Sequence, residues 1–389
     1  MCRFHNGEML FREITGQEDA KQKLCLAVKK GRIPHAQLFT GPHGSGQLPM
    51  AVAFASYVLC EARSDEDACG ACPSCQKMSK LIHPDLHISM PVNTTKKVKK
   101  DPCSEPFMEE WRESFLANPY LTLEDWLSGL GIENKQGIIN VLQSAEITSK
   151  LGLKSFEGGR KIVIIWLPEK MNVPAANKLL KALEEPDENT LFLLATEDRE
   201  ALLPTILSRT QMLKLSRPED AEIAKTLQAR FGLNEAEAGR IASMADGNVS
   251  EAIHHATDAD ASVGHHDDFV KWMRMCFAIR KNMGELLEWI SGISTSGREY
   301  QMAFLRYGLH ILQQCLRMNN SMPQLVHTVD KEFITKFSPF VNEANVEELA
   351  NLFEEAMAHI QRNAYPRILF LDVSIRIGRL LKKGREHMA

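Results

Sequence analysis

The sequence predicts an α/β protein: a parallel sheet domain with a glycine-rich loop, then a small helical domain, then a larger C-terminal all-helical domain. Three observations carry this. Short apolar runs alternate with helical periodicity as far as Leu215, as expected of a parallel sheet with helices on both faces. A glycine-rich loop, Gly41-Pro42-His43-Gly44-Ser45-Gly46, sits between an apolar run and a helical stretch. After Leu215 the strand signals stop.

Taken in order, Gln17 to Lys30 reads as an amphipathic helix, and Gly31 is placed to end it. Ala36 to Thr40 reads as a buried strand, and Pro49 to Cys60 as the helix after the loop. Asp85 to Met90 can form another strand. Ile138 to Leu151 reads as a helix with Ile138, Val141, Leu142, Ala145 and Ile147 on one stripe. Lys161 to Trp166 is a β-rich run without alternation, which suits a strand buried on both faces. Ala175 to Leu183 is helical, and Thr190 to Thr196 is a further buried strand. Pro218 to Ala256 suggests short helices broken at Gly247-Asn248. The polar stretch Asp258 to Asp268 reads as a linker, and Phe269 to Arg385 is helical throughout. The expected boundaries are 1–215, with a cysteine module at 60–75 and an insertion at 90–135, then 216–258 and 269–389.

Composition narrows the function classes. The chain has 389 residues with 46 Lys and Arg against 50 Asp and Glu, a net charge of −4. That balance argues against binding nucleic acid by bulk charge, though not against local patches. No apolar stretch is long enough to span a bilayer, and Met1 to Leu10 lacks a signal-peptide core. The expected location is therefore cytoplasmic. Of the nine cysteines, Cys60, Cys69, Cys72 and Cys75 crowd together, and the rest are scattered. This pattern fits a reduced protein with a metal site rather than a disulfide framework.

The glycine loop is a phosphate-binding loop without its chemistry. A working loop reads G-x-x-x-x-G-K-[ST]: backbone N–H groups wrap the phosphates, the Lys reaches them, and the hydroxyl holds Mg²⁺. Gly41, Gly44 and Gly46 are present, but Gln47 stands in the Lys position and Leu48 in the hydroxyl position. The cysteine cluster, Cys60-x₈-Cys69-x₂-Cys72-x₂-Cys75, suits a tetrahedral Zn²⁺ site with no open position, hence a structural one. An iron–sulfur cluster is the sharp rival, and a set of free thiols the bland one.

Four segments in this order and spacing, Gly41 to Gly46, Leu179-Leu180-Lys181-Ala182-Leu183-Glu184-Glu185-Pro186, Phe192 to Thr196, and Leu203-Pro204-Thr205-Ile206-Leu207-Ser208-Arg209-Thr210, resemble the clamp-loader branch of the AAA+ superfamily. The resemblance runs from about Phe11 to Leu215 and continues more weakly beyond. It implies a subunit of the bacterial DNA polymerase III clamp loader, of the kind that keeps the fold and usually does not hydrolyse ATP. By the same resemblance, the Walker B carboxylates correspond to Trp166 and Leu167, and the sensor arginine to Ser250. Glu169 lies just beyond and reads as a solvated loop glutamate. Hydrolysis by this chain is therefore not expected, and the defective loop (Gly41, Gly44, Gly46, Gln47) puts ATP binding in doubt. The resemblance also implies that Ser208-Arg209 supplies an arginine finger in trans to a neighbouring ATPase, and that the cysteines hold zinc.

The insertion departs from the shorter family members. It carries Lys96-Lys97-Val98-Lys99-Lys100 and the aromatics Trp111, Phe115, Tyr120 and Trp126. Basic residues near aromatics can bind single strands; a solvated lysine loop and a helix packing face formed by Trp111 and Phe115 at i, i+4 is the favoured reading. Asn363-Ala364-Tyr365-Pro366 resembles the last-helix region of collar domains. The implied partners are clamp-loader ATPase subunits and the delta subunit, with the sliding clamp and primed DNA reached through the complex. The alternative is a stand-alone DNA-associated AAA+ ATPase with a divergent P-loop.

Overall fold

A computed structural model of the chain describes residues 9–132, 135–152, 154–157, 159–186, 189–257, 259–319, 331–362 and 364–388. Cys2, most of the N-terminal stretch and Asp258 lie outside the described residues. Two compact units are present, Met1–His254 and His255–Ala389.

The first unit is built on five strands: β1 (Ala36–Thr40), β2 (Leu86–Ser89), β3 (Lys161–Trp166), β4 (Thr190–Thr196) and β5 (Gln211–Lys214). All pairings are parallel, in the order β2-β3-β4-β1-β5. The α/β class expected from the motifs is the one found. Every residue of β1, β3 and β4 is buried, which is why these runs show no alternation in sequence. Their side chains nevertheless divide by parity between two cores. Phe39, Ile162, Ile164, Leu191 and Leu193 face one cluster, while Leu38, Val163, Ile165, Phe192 and Leu194 face the other. The exposed edge strand β5 carries no apolar run and was not legible in advance.

The helices of this unit are α1 (Glu18–Lys29), α2 (Gln47–Leu59), α3 (Pro73–Met78), α4 (Met108–Ala117), α5 (Leu123–Gly129), α6 (Val141–Leu151), α7 (Val173–Glu184), α8 (Pro204–Leu207), α9 (Asp220–Phe231), α10 (Glu235–Ala245) and α11 (Val249–Thr257), the last running to the boundary between units. Helix α2 is apolar almost all round and lies across β1, β3 and β4. Helices α6 and α7 cover the opposite face.

One helix differs from its expected form. α6 starts at Val141, because the Asn140 side chain accepts from the N–H groups of Leu142 and Gln143 while Gln143 bonds back, a capping box. Ile138 instead forms an antiparallel bridge with Val92. The buried face is Gln143, Ser144, Ile147 and Leu151, and Ile138, Val141 and Leu142 are exposed.

In the 90–135 segment, Trp111 and Phe115 stack at 5.2 Å between ring centroids. Both are fully buried, as is Trp126, whose Nε1 donates to the Pro91 carbonyl at 2.7 Å. These rings have no free face for a base. They are the helix packing face, while Lys97 pairs with Glu110 at 2.8 Å on the surface.

The second unit contains α12 (Ala259–Phe277), α13 (Met283–Thr295), α14 (Arg298–Asn319), α15 (Lys331–Phe337), α16 (Val346–Gln361) and α17 (Pro366–Met388). The stretch read as a linker is therefore helical from Ala259 onward. Its two histidines are not solvent-seeking: His265 is buried with its ring 4.5 Å from that of Tyr300, and His266 Nδ1 lies 2.8 Å from the Tyr307 hydroxyl. The core is aromatic, with Trp272 stacked on Trp289 and its Nε1 donating to Ser374 Oγ at 2.8 Å. Among the described residues no helix is long and apolar enough to cross a membrane.

Because the Trp111 ring is fully buried against Phe115, Trp111→Ala is expected to cost about 3–5 kcal/mol of unfolding free energy. Urea unfolding followed by far-UV circular dichroism measures this. A loss under about 1 kcal/mol would mean that the segment adds little to the core.

Candidate functional site

The loop between β1 and α2 has the backbone of a phosphate cradle. Gly44 and Gly46 take positive φ of 71° and 95°, which residues with a Cβ rarely adopt. Its side chains serve another purpose. Gln47 is buried, and its Nε2 donates to the carbonyls of Gly41 at 2.7 Å and Pro42 at 2.9 Å. Ser45 Oγ donates to Pro42 O at 2.8 Å. The amide in the lysine position thus points back into the loop. Leu48 is buried in the core and offers no ligand to Mg²⁺.

The facing walls match this. Trp166 and Leu167 are both 2% exposed and bring no carboxylate to the end of β3. Glu169 is not the solvated glutamate expected from sequence. Its Oε2 accepts from Thr196 Oγ1 at 2.8 Å, and its Oε1 accepts from the N–H groups of Glu197 and Asp198. Burial pushes its pKa up, partly offset by these bonds. Both oxygens are committed to holding the end of β4. His43 Nδ1 lies 2.9 Å from Glu197 Oε2, a bond that raises the histidine's pKa. Ser250 donates from Oγ to the Tyr120 carbonyl at 2.7 Å. The cavity left between these groups holds about 20 Å³, room for little more than one water molecule.

Arg209 follows the short helix α8. Its Nη2 pairs with Glu184 Oε1 at 2.6 Å, and its Nη1 donates to Thr205 O and to Ser208 Oγ. The side chain remains one-third exposed. Glu184 ends α7 and belongs to the same motif that marked the family, so the structure joins two motifs that the sequence presents separately. This bond, like the inward turn of Gln47, had no signal in the sequence.

The four cysteines converge. Their sulfurs all lie within 4.8 Å of one another, with Cys60 to Cys72 at 4.0 Å and Cys69 to Cys75 at 3.9 Å. Tetrahedral zinc with Zn–S near 2.3 Å places sulfurs about 3.8 Å apart, so the set fits the metal. Cys60 closes α2, and Cys72 caps α3 with Pro73 following it. Backbone N–H groups point at the sulfurs: Cys69 to Cys60 at 3.3 Å, Ala71 and Cys72 to Cys69, and Cys75 to Cys72 at 3.4 Å. The donors from Ala71 and Cys72 lower the pKa of Cys69 to about 6, whereas burial pushes Cys60 and Cys75 up. Thiolates are the ligands that N–H···S bonds favour.

In the second unit, Leu352, Ala356, Tyr365, Ile368 and Leu369 line an apolar groove of about 380 Å³ between α16 and α17. Tyr365 and Ile368 are 62% and 69% exposed.

Comparison with known proteins places these features in a lineage. The family described as "DNA polymerase III, delta subunit" matches residues 16–219. "DNA polymerase III subunit delta'" of Bacillus subtilis is 31% identical over 244 residues, covering 62% of this chain and 60% of that protein. Its Escherichia coli namesake is 23% identical over 367 residues, 93% of this chain and 94% of that one. "DNA polymerase III subunit tau" of Bacillus subtilis is 26% identical over 252 residues, 62% of this chain and 36% of that protein. The chain thus spans about three fifths of the length of the first of these relatives. The family match takes in the altered loop, the cysteine cluster and Arg209 together, over more than half of the sequence, and the chain belongs to the DNA polymerase III delta subunit family.

Proposed function

We propose that this chain is a non-catalytic, stator-like subunit of the polymerase III clamp loader, supporting ATP-dependent loading of the sliding clamp onto primed DNA. The observation that carries the non-catalytic part is the loop itself, in which Gln47 bonds the carbonyls of Gly41 and Pro42. Three further groups expected around a nucleotide are replaced by Leu48, by Trp166 with Leu167, and by Ser250, and all four replacements are buried. The role in the loader rests on the family and on relatives named as polymerase III subunits. The partners in this reading are the ATPase subunits and the delta subunit, with clamp and DNA reached through the complex. The domain plan in this reading is a sheet domain to residue 215, a helical lid to 258 and a helical collar from 269. The exposed groove of α16 and α17 supports the collar assignment.

Arg209 is the residue we assign to a neighbour's reaction. None of its described partners belongs to this chain's own loop, and its guanidinium is partly exposed beside Ser208. Offered to a γ-phosphate across an interface, it would stabilise charge on the transferred phosphoryl oxygens. To do so it must leave Glu184. An ion pair this exposed is worth only about 0–1 kcal/mol, so the exchange of partners costs little. Cys60, Cys69, Cys72 and Cys75 would hold one structural Zn²⁺, which fixes the end of α2 and supplies no reaction step.

Purified protein is expected to show no ATP turnover. The double variant Gln47→Lys/Leu48→Thr should stay inactive, because Trp166 and Leu167 still offer no metal ligand. Steady-state phosphate release tests both, and turnover abolished by a mutation of this chain's own loop would favour the stand-alone ATPase reading.

The metal content should be about one Zn²⁺ per chain. Cys72→Ser should release it and speed proteolysis near the module while leaving the sheet intact. Elemental analysis and limited digestion read this out. Stoichiometric iron with visible charge-transfer absorption in anaerobic protein would instead establish a cluster.

Arg209→Ala should leave the chain folded and assembled, because the position contributes no core packing. DNA- and clamp-stimulated ATPase of a reconstituted loader should fall partially, since one site loses its cation. Arg209→Lys should not restore it fully, because an ammonium lacks the planar donor fork. Unchanged ATPase and loading with assembly confirmed would leave Arg209 as a structural partner of Glu184.

A further inference from the structure

The space in front of the loop is filled by this chain's own 90–135 segment. Tyr120 is 4% exposed. A Cβ on Gly46 would stand 3.2 Å from its ring carbon Cε1. The Tyr120 hydroxyl accepts from the Thr15 N–H at 3.0 Å, and its carbonyl accepts from Ser250 Oγ at 2.7 Å. Pro119, Tyr120 and Leu121 thus close the loop from one side, leaving the cavity of about 20 Å³. Small-molecule sites ordinarily enclose about 300–1,000 Å³.

The same segment also ties the loop to the helices that follow the sheet. Thr122 and Asp125 form a capping box at the start of α5, and Asp125 Oδ2 lies 3.1 Å from His254 Nε2 on α11. Burial opposes ionisation of Asp125, yet the bonds from His254 and Thr122 outweigh it and hold the carboxyl below its ordinary pKa. From the other side, the Val249 N–H donates to Gly44 O at 3.1 Å, and a Cβ on Gly44 would fall 1.8 Å from Asn248 Oδ1. Gln17 adds a third link, donating to Ser45 O at 3.1 Å and to Ser216 O.

We propose that the stretch from Pro119 to Asp125 acts as a built-in occupant of the degenerate phosphate loop: Tyr120 fills the room a nucleotide would need and bonds Ser250, while Asp125 bonds His254, so that the stretch fastens the loop to α11. The contact is an internal strut, permanent where a ligand would be exchangeable. It holds the sheet and α9–α11 in one arrangement whatever the nucleotide concentration. The strut does not depend on the clamp-loader reading, since every bond lies within one chain.

The test uses the full chain, wild type and Tyr120→Ala, with Tyr120→Phe and Ser250→Ala as milder variants. Amide hydrogen exchange is read at residues 44–50 and 249–254, and a fluorescent ATP analogue (mant-ATP with Mg²⁺) is titrated. Wild type and Gln47→Lys/Leu48→Thr should not bind mant-ATP at millimolar concentration. In Tyr120→Ala, exchange at both segments should rise by about tenfold or more, with β3, β4 and the second unit unchanged. Tyr120→Phe keeps the ring but leaves the Thr15 N–H without its acceptor, so exchange at both segments should rise less than in Tyr120→Ala. If Tyr120→Ala fails to fold, Ser250→Ala decides, and should loosen α11 alone. Unchanged exchange in folded Tyr120→Ala, or in Ser250→Ala where that variant decides, would overturn the proposal. So would micromolar mant-ATP binding by wild type.

Discussion

The Gln47 side chain holds the loop between β1 and α2 from within. Its amide gives both hydrogens to loop carbonyls, so the turn keeps its shape with no anion present. A lysine there could not do this in the same way, because its charge would need a counter-ion in a buried place. Once the loop is closed on itself, the residues around it need bring no charge to it. Leu48 can enter the core, Trp166 and Leu167 can be apolar, and Glu169 can be spent on the end of β4. Leu48, Trp166 and Leu167 fill their places by packing, and the Glu169 carboxylate is satisfied by hydrogen bonds.

The fold was legible where physics is local or periodic. Continuous apolar runs marked β1, β3 and β4 because both their faces are covered. Gly31, with φ of 63°, ends the helix that precedes it as expected. Edge strand β5 was missed because a strand with solvent on its faces carries no apolar run. The start of α6 was placed too early because Ile138 looks like part of a stripe, while the Asn140 cap decides the boundary. The polar stretch before Phe269 misled because histidine can be buried against tyrosine, and nothing at the level of composition says which histidines are.

Of the candidate site, the cysteine cluster was legible. Spacing alone brought the four cysteines together, because they are near neighbours in sequence. Long-range partners were hidden. Tyr120 meets Gly46 and Ser250 across large sequence separations, and Glu184 meets Arg209 only because α7 and α8 pack together. A motif can state that a residue type is present, but it cannot state which neighbour engages it.

The strand order has a consequence for synthesis. Interior strand β1 pairs with β4 and β5, so Ala36 must wait for Phe192 and Gln37 for Gln211. Until nearly all of the sheet domain has left the ribosome, this apolar strand and the apolar helix after it have no sheet to join. The cysteine module needs no such wait, since its ligands emerge together at the end of α2. A metal captured there would give the nascent chain its first fixed point, close to the segment most prone to aggregate while non-local pairings are still unmade.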